Sequence, residues 1–215
     1  LTGCYAEMSN QINLFDNPEI YNLLSVEEFP EFCQGDTTSI TLFLPYSQTG
    51  VLYQLYNDNM PVGNPQVGID NVLYWEKVSQ YGQGTYKILA EYIDEPYCTS
   101  VMNGEIFIDE INLPTANISG FDTVCVSDNC TNMVISLTGE RIIDLVYNDG
   151  IQNYTVQLDP SISVQNIQVC PTIATTYQLI SVDYVESPFC TGIANGSFSV
   201  FVRELPIAFA GNNIL

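Results

Sequence analysis

The cysteines of this chain follow a rule. The stretch from Cys33 to Cys98 is as long as the stretch from Cys125 to Cys190, and the second pair repeats the first at a period of 92. A fixed period enclosing a fixed loop implies tandem copies of one small unit. Other residues repeat at close to the same period. Gly84-Thr85-Tyr86 matches Thr175-Thr176-Tyr177, each with a valine eight residues before its tyrosine (Val78, Val169). Leu113-Pro114-Thr115-Ala116 recurs as Leu205-Pro206-Ile207-Ala208, and Cys4 with Met8 matches Cys98 with Met102. These matches divide the chain into two whole modules, 17–112 and 113–204. Residues 1–16 then read as the last hairpin of an upstream module, and 205–215 as the start of the next module or a linker.

A period of this length suits one small β-sandwich. The core of such a unit is modest, so covalent staples help. Seven cysteines point to an oxidising compartment. Keeping the repeat spacing pairs Cys33 with Cys98 and Cys125 with Cys190. Cys130 and Cys170 then form an extra staple of the second module, and the partner of Cys4 is expected upstream. With no CxxC and no histidine, a metal centre is not expected.

Charge and composition exclude several functions. Four lysines and arginines face 25 aspartates and glutamates, a net charge of −21 that repels nucleic acid and anionic lipid. The absence of histidine removes every Ser-His-Asp or Cys-His arrangement. Only Lys77, Lys87, Arg141 and Arg203 remain to bind an anion. The doublets Glu27-Glu28, Asp94-Glu95 and Asp109-Glu110 place neighbouring carboxylates on opposite faces of a strand, unlike a glycosidase pair. An enzyme is therefore not expected, nor a cofactor. The module-end doublets leave room for a structural calcium ion, without any calcium-loop spacing. No apolar run is long enough to span a bilayer, so no membrane insertion is expected.

The local signals are β throughout. Thr38–Leu44 and Met133–Leu137 alternate after the first cysteine of each module. Asn148-Asp149-Gly150 separates two alternating runs and reads as a hairpin turn, as does Asn57-Asp58-Asn59. Runs at Tyr86–Ala90 and Tyr177–Ser181 lead to the second cysteine. A last strand follows each, with Phe198, Val200 and Val202 on one face. The expected fold is all-β: tandem immunoglobulin-like Greek-key β-sandwich modules.

The second module reads Pro-x-Ala-x-Ile-Ser-Gly, Thr-Val-Cys, Leu-Thr-Gly, Val-Cys-Pro-Thr-Ile-Ala-Thr-Thr-Tyr-Gln-Leu-Ile-Ser-Val, then Cys-Thr-Gly and Gly-Ser-Phe-Ser-Val. The first has Cys-Gln-Gly-Asp-Thr, Tyr-Gln-Leu-Tyr-Asn, Pro-Val-Gly and Gly-Thr-Tyr. Together these resemble the immunoglobulin-like repeats of giant cell-surface adhesins of Bacteroidota, notably the gliding-motility adhesin of Flavobacterium and its relatives. The resemblance implies type IX export, an extracellular place on the outer bacterial surface, and stalk repeats partnered by neighbouring repeats of the same chain. Contact with surface polysaccharide would then fall to the distal tip. Asp36-Thr37-Thr38 and Asp122-Thr123-Val124 resemble the short O-glycosylation pattern of that phylum, making Thr37 and Thr123 candidate acceptors.

Two rival functions stay open. Tyr53, Tyr56, Tyr74, Trp75 and Tyr81 cluster in the first module, and Trp75 with Tyr74 would offer a glycan-stacking surface in a carbohydrate-binding module. The modules would also serve as accessory β-domains of a secreted hydrolase. Tyr86 and Tyr177 sit where sandwich folds place a corner tyrosine, a structural role.

Overall fold

The computed structural model describes residues 16–206. The Cys4 assignment and the upstream hairpin lie outside them, as does most of 205–215. Among the described residues the structure is strands and loops, apart from one 3-10 turn at Val78–Tyr81. They form two compact units: residues up to Phe32 with Asp36–Asp109, and Cys33–Gly35 with Glu110 onward.

In the first unit, β1 (Leu24–Ser25), β3 (Leu42–Leu44) and β6 (Leu73–Trp75) make a three-stranded sheet in that order. The second sheet runs β2 (Glu31–Cys33), β9 (Ile106–Ile111), β7 (Gly84–Tyr92), β4 (Val51–Asn57), β5 (Met60–Val67), with β8 (Thr99–Val101) beside β7. Alternation fills the core. Leu42 and Leu44 face Val51, Tyr53 and Leu55, with Tyr86, Ile88, Ala90 and Ile108 from the neighbouring strands. The run Thr38–Leu44 is a strand only from Leu42. Ile40 takes a left-handed φ of 63°, which breaks the ladder while its side chain stays buried.

The second unit repeats this plan. One layer holds β10 (Thr115–Ile118), β12 (Thr131–Thr138) and β15 (Val164–Val169). The other holds β14 (Asn153–Leu158), β13 (Ile143–Asn148), β16 (Thr175–Tyr184), β17 (Ile193–Arg203) and β11 (Phe121–Cys125). The long β17 serves both layers: Ile193–Gly196 runs parallel to β10, and Ser199–Arg203 parallel to β11. The change falls at Gly196, at φ 100°, where an added Cβ would lie 1.8 Å from the Ile118 carbonyl oxygen. Met133, Ile135, Leu137, Ile143, Leu145, Phe198 and Val200 point into this unit's own core.

The repeat survives in the hydrogen bonds. The Gln34 amide donates to the Ile111 carbonyl at 2.9 Å, and the Val126 amide to the Arg203 carbonyl at 2.9 Å. The Tyr92 amide donates to the Cys98 carbonyl at 3.1 Å, and that of Tyr184 to Cys190 at 3.0 Å. In β16 the pairing steps from Val146↔Ser181 to Tyr147↔Leu179, leaving Ile180 as a bulge. That inserted residue turns an offset of 91 at Tyr86 and Tyr177 into 92 at the cysteines. The turn after β13 forms as its sequence implied. The Asp149 carboxylate accepts from the Ile151 and Gln152 amides, and these bonds hold it below the usual carboxylate range.

Candidate functional site

The cysteines are the features that set this pair of sandwiches apart, and their pairing differs from the sequence expectation. Cys33 is bonded to Cys190, across a sequence separation of 157. The expected bonds Cys33–Cys98 and Cys125–Cys190 are not formed; Cys98 and Cys125 carry free thiols. Strand direction gives the reason. Gln34, next to Cys33, is bonded to the end of β9, and the start of β7 is paired with β9 at Gly84↔Ile108. Cys98 lies at the opposite end of β7, bonded to Tyr92. The strand between is nine residues long, about 26 Å at ~3.3 Å per residue. A disulfide spans Cα atoms only about 4.4–6.8 Å apart. In the second unit Cys125 pairs with Arg203 at the end of β17, whereas Cys190 precedes its beginning. The two cysteines of one repeat stand at opposite ends of their sandwich.

Cys33 lies within the second unit, in the short Cys33–Gly35 segment, and packs partly buried against that unit's core. Its partner Cys190 is 1% exposed. A bond in these surroundings is shielded from an attacking thiolate.

Cys130 is bonded to Cys170. The two extend the β12–β15 ladder one step past Thr131↔Val169. Asn129 supports the corner by donating to the Cys170 and Pro171 carbonyls at 3.3 and 3.0 Å. The first unit fills the equivalent places with serines. Ile40 and Val78 correspond to Thr131 and Val169, so Ser39 and Ser79 correspond to Cys130 and Cys170. The Ser79 amide and hydroxyl both donate to the Ser39 carbonyl, at 3.2 and 2.9 Å. The offset here is 91, the same that sets Val78 against Val169 in the sequence and one short of the cysteine period.

The aromatic surface is corrected as well. Strand β6 alternates, so Leu73 and Trp75 face inward and Tyr74 outward. Trp75 is 6% exposed in the first unit's core and Tyr53 is fully buried. Trp75 therefore has no face to offer a sugar. Tyr74 is 50% exposed and stands against Phe43, ring centroids 5.8 Å apart. Tyr86 takes the corner role: its hydroxyl donates to the Gly82 carbonyl at 2.6 Å and accepts from Asn57 Nδ2 at 3.1 Å. Burial pushes its phenol up to about 12. Tyr177 instead packs edge-on against Tyr147 at 6.2 Å.

Thr37 and Thr123 are both exposed. Each follows an aspartate whose carboxylate accepts local hydrogen bonds, Asp36 in a loop and Asp122 within β11. Asp36 accepts from the Thr38 amide and hydroxyl at 2.8 Å, and Asp122 accepts from the Thr123 amide and the Thr131 hydroxyl. Of the carboxylate doublets, Glu27 is half-buried and accepts from the Thr41 amide, the work of a strand-end cap. Among the described residues, no group of three acidic, cysteine or histidine side chains is placed to hold a metal ion. Lys87 borders a hollow of about 260 Å³ with Tyr56, Asn59 and Val101, and its amine donates to Asn59 Oδ1 at 3.2 Å.

No protein-family model matches the chain, and no curated protein matches it. Solved structures do. A three-immunoglobulin fragment of titin, domains I67–I69 in an E-to-A variant, matches with a TM-score of 0.53 at 12% identity, over 86% of this chain and 67% of that one. A marsupial T cell receptor matches with a TM-score of 0.55 at 11% identity, over 87% of this chain and 74% of that one. A calcium-stabilised adhesin with which an Antarctic bacterium binds ice matches at 0.47 and 10% identity, over 89% of this chain and about half (51%) of that one. The first two establish an immunoglobulin-like fold.

Proposed function

We propose that this chain is part of the load-bearing stalk of a large bacterial surface adhesin, displayed outside the cell and serving surface attachment or gliding. The repeated sandwiches, the acidic surface and the disulfides support that reading. One observation carries it: the Cys33–Cys190 bond removes the chain between those residues, a separation of 157, from the path that tension would follow. A stalk closed in this way keeps its length even when a sandwich opens. Its neighbours along the filament are further repeats, its export route is the type IX system of the resembling adhesins, and polysaccharide contact belongs to the tip.

Pulling on residues 1 and 215 in a single-molecule instrument tests the mechanical part. The oxidised chain extends only by the segments outside the bond. Reductant then releases about 500 Å more, at ~3.3–3.6 Å for each sequestered residue. Full extension without reductant refutes the load-bearing role. Antibody labelling of intact cells tests display; a signal seen only after permeabilisation refutes it. Exposed Tyr74, standing against half-buried Phe43, favours a second reading, in which the first sandwich grips a glycan. Binding on a glycan array that is lost in Tyr74→Ala would establish it, and an empty array would remove it.

A further inference from the structure

The Cys33–Cys190 bond joins the first cysteine of one repeat to the second cysteine of the following repeat. Among the described residues, both remaining thiols, Cys98 and Cys125, occupy positions that are bonded in the other repeat. Cys125 stands in its repeat where Cys33 stands in its own. Each ends a strand beside the last strand of its sheet, and the residue after each donates to that last strand, Gln34 to Ile111 and Val126 to Arg203. Cys98 stands where Cys190 stands, each with its carbonyl bonded by the tyrosine amide six residues earlier. Cys125 is exposed and unbonded, while its equivalent is engaged.

We infer that the disulfide is one link of a series. Where another repeat of this type follows, Cys125 bonds the second cysteine of that repeat; where one precedes, Cys98 bonds its first cysteine. The ligand of each free thiol is thus the complementary cysteine of an adjacent copy. Each link forms when two thiols lose two protons and two electrons to a disulfide-bearing oxidant, which departs as two thiols. The loops overlap along the array. Each second cysteine is followed by the first cysteine of the next repeat, as Cys98 is followed by Cys125. In a fully unfolded but oxidised array, the shortest covalent path therefore uses one stretch the length of Cys98 to Cys125 for every two repeats. Reduction would lengthen such an array roughly sevenfold, taking extension as proportional to the chain in the path.

The inference rests on the array reading above and not on where the array is displayed. The test continues the full chain past Leu215 with residues 124–204, which preserves the period of the repeat, in a Cys4→Ser background. The protein is folded in a glutathione redox buffer, alkylated and digested without reduction, and its peptides are mapped by mass spectrometry. The expected map contains Cys33–Cys190 and a second bond from Cys125 to the added counterpart of Cys190. Cys98 and the added counterpart of Cys125 are alkylated. In Cys125→Ser the added counterpart of Cys190 becomes alkylated instead. With Cys33–Cys190 present as the internal sign of correct folding, an alkylated Cys125, or one bonded elsewhere, overturns the inference. Failure of surface labelling would leave this map unchanged, so the two readings fail separately.

Discussion

The second unit has a staple that the first lacks, and this allows one experiment with two opposite arms. Cys130 and Cys170 are both exposed. Replacing both with serine removes the cross-link while burying no polar group and opening no cavity. The loop has a sequence separation of 40. The chain-entropy relation values such a closure at about 4 kcal/mol. For a domain of this size, with a urea dependence of about 2 kcal/mol per molar, the midpoint of the second unit should fall by about 2 M. Ser39 and Ser79 have the same separation, 40, so Ser39→Cys with Ser79→Cys offers the first unit the same closure. Against it stands the Ser79 hydroxyl bond to the Ser39 carbonyl, worth about 1 kcal/mol. A net gain of about 3 kcal/mol is expected.

The single tryptophan separates the arms. Trp75 lies in the first unit's core, so its fluorescence follows that unit, while far-ultraviolet circular dichroism follows both. Deleting the staple should move the dichroism transition that fluorescence does not see. Transplanting it should move the fluorescence transition upward. A fluorescence shift as large as the dichroism shift on deleting Cys130–Cys170 would refute the assignment of the staple to one unit. An unchanged dichroism transition would refute its energetic role.

Trp75→Ala is expected to lower the stability of the first unit by about 3–5 kcal/mol, measured by dichroism in urea, because it empties a core site. A variant of unchanged stability that lost glycan binding would restore Trp75 as a contact residue. Tyr86→Phe removes the bond to Gly82 and one acceptor for Asn57, costing about 1–2 kcal/mol in fluorescence-monitored unfolding. Tyr86 also titrates at about 12 in the fold, above the ~10 of a free phenol. Its contribution is therefore fully present below pH 10 and is lost as pH rises through 12. The difference between wild type and Tyr86→Phe should shrink over that window; parallel curves would show that another group governs the alkaline loss.

The strands could be read from the sequence because each sandwich buries one face of each layer, and a period of two leaves its mark in runs such as Met133–Leu137 and Phe198–Val202. The Tyr74–Trp75 step could not. Two adjacent aromatics fit either face, and the choice depends on β6 pairing with β3 at Leu42↔Trp75. The cysteines show a deeper limit. A period of 92 is satisfied equally by a partner in the same repeat and by one in the next, at a separation of 157. Spacing alone chooses neither. What chooses is the direction of β7 and its counterpart β16, each of which carries the chain from one end of its sandwich to the other between its two cysteines.

The period itself then acquires a physical meaning. Within β7 and β16 the repeats are offset by 91 as far as Ile88 and Leu179, and by 92 from Leu89 and Ser181 onward. The change is the bulge at Ile180, half-exposed on the outer face, where an extra residue disturbs no core contact. The offset is also 92 at Gln34 and Val126 and at Ile111 and Arg203, the opposite end of the sandwich. The interior tolerates a one-residue drift, and the ends do not. An internal disulfide would require only that its two cysteines keep their mutual distance. Cysteines serving successive repeats must keep their place at both ends of each unit, and the spacing of 92 at both ends is what that demand produces.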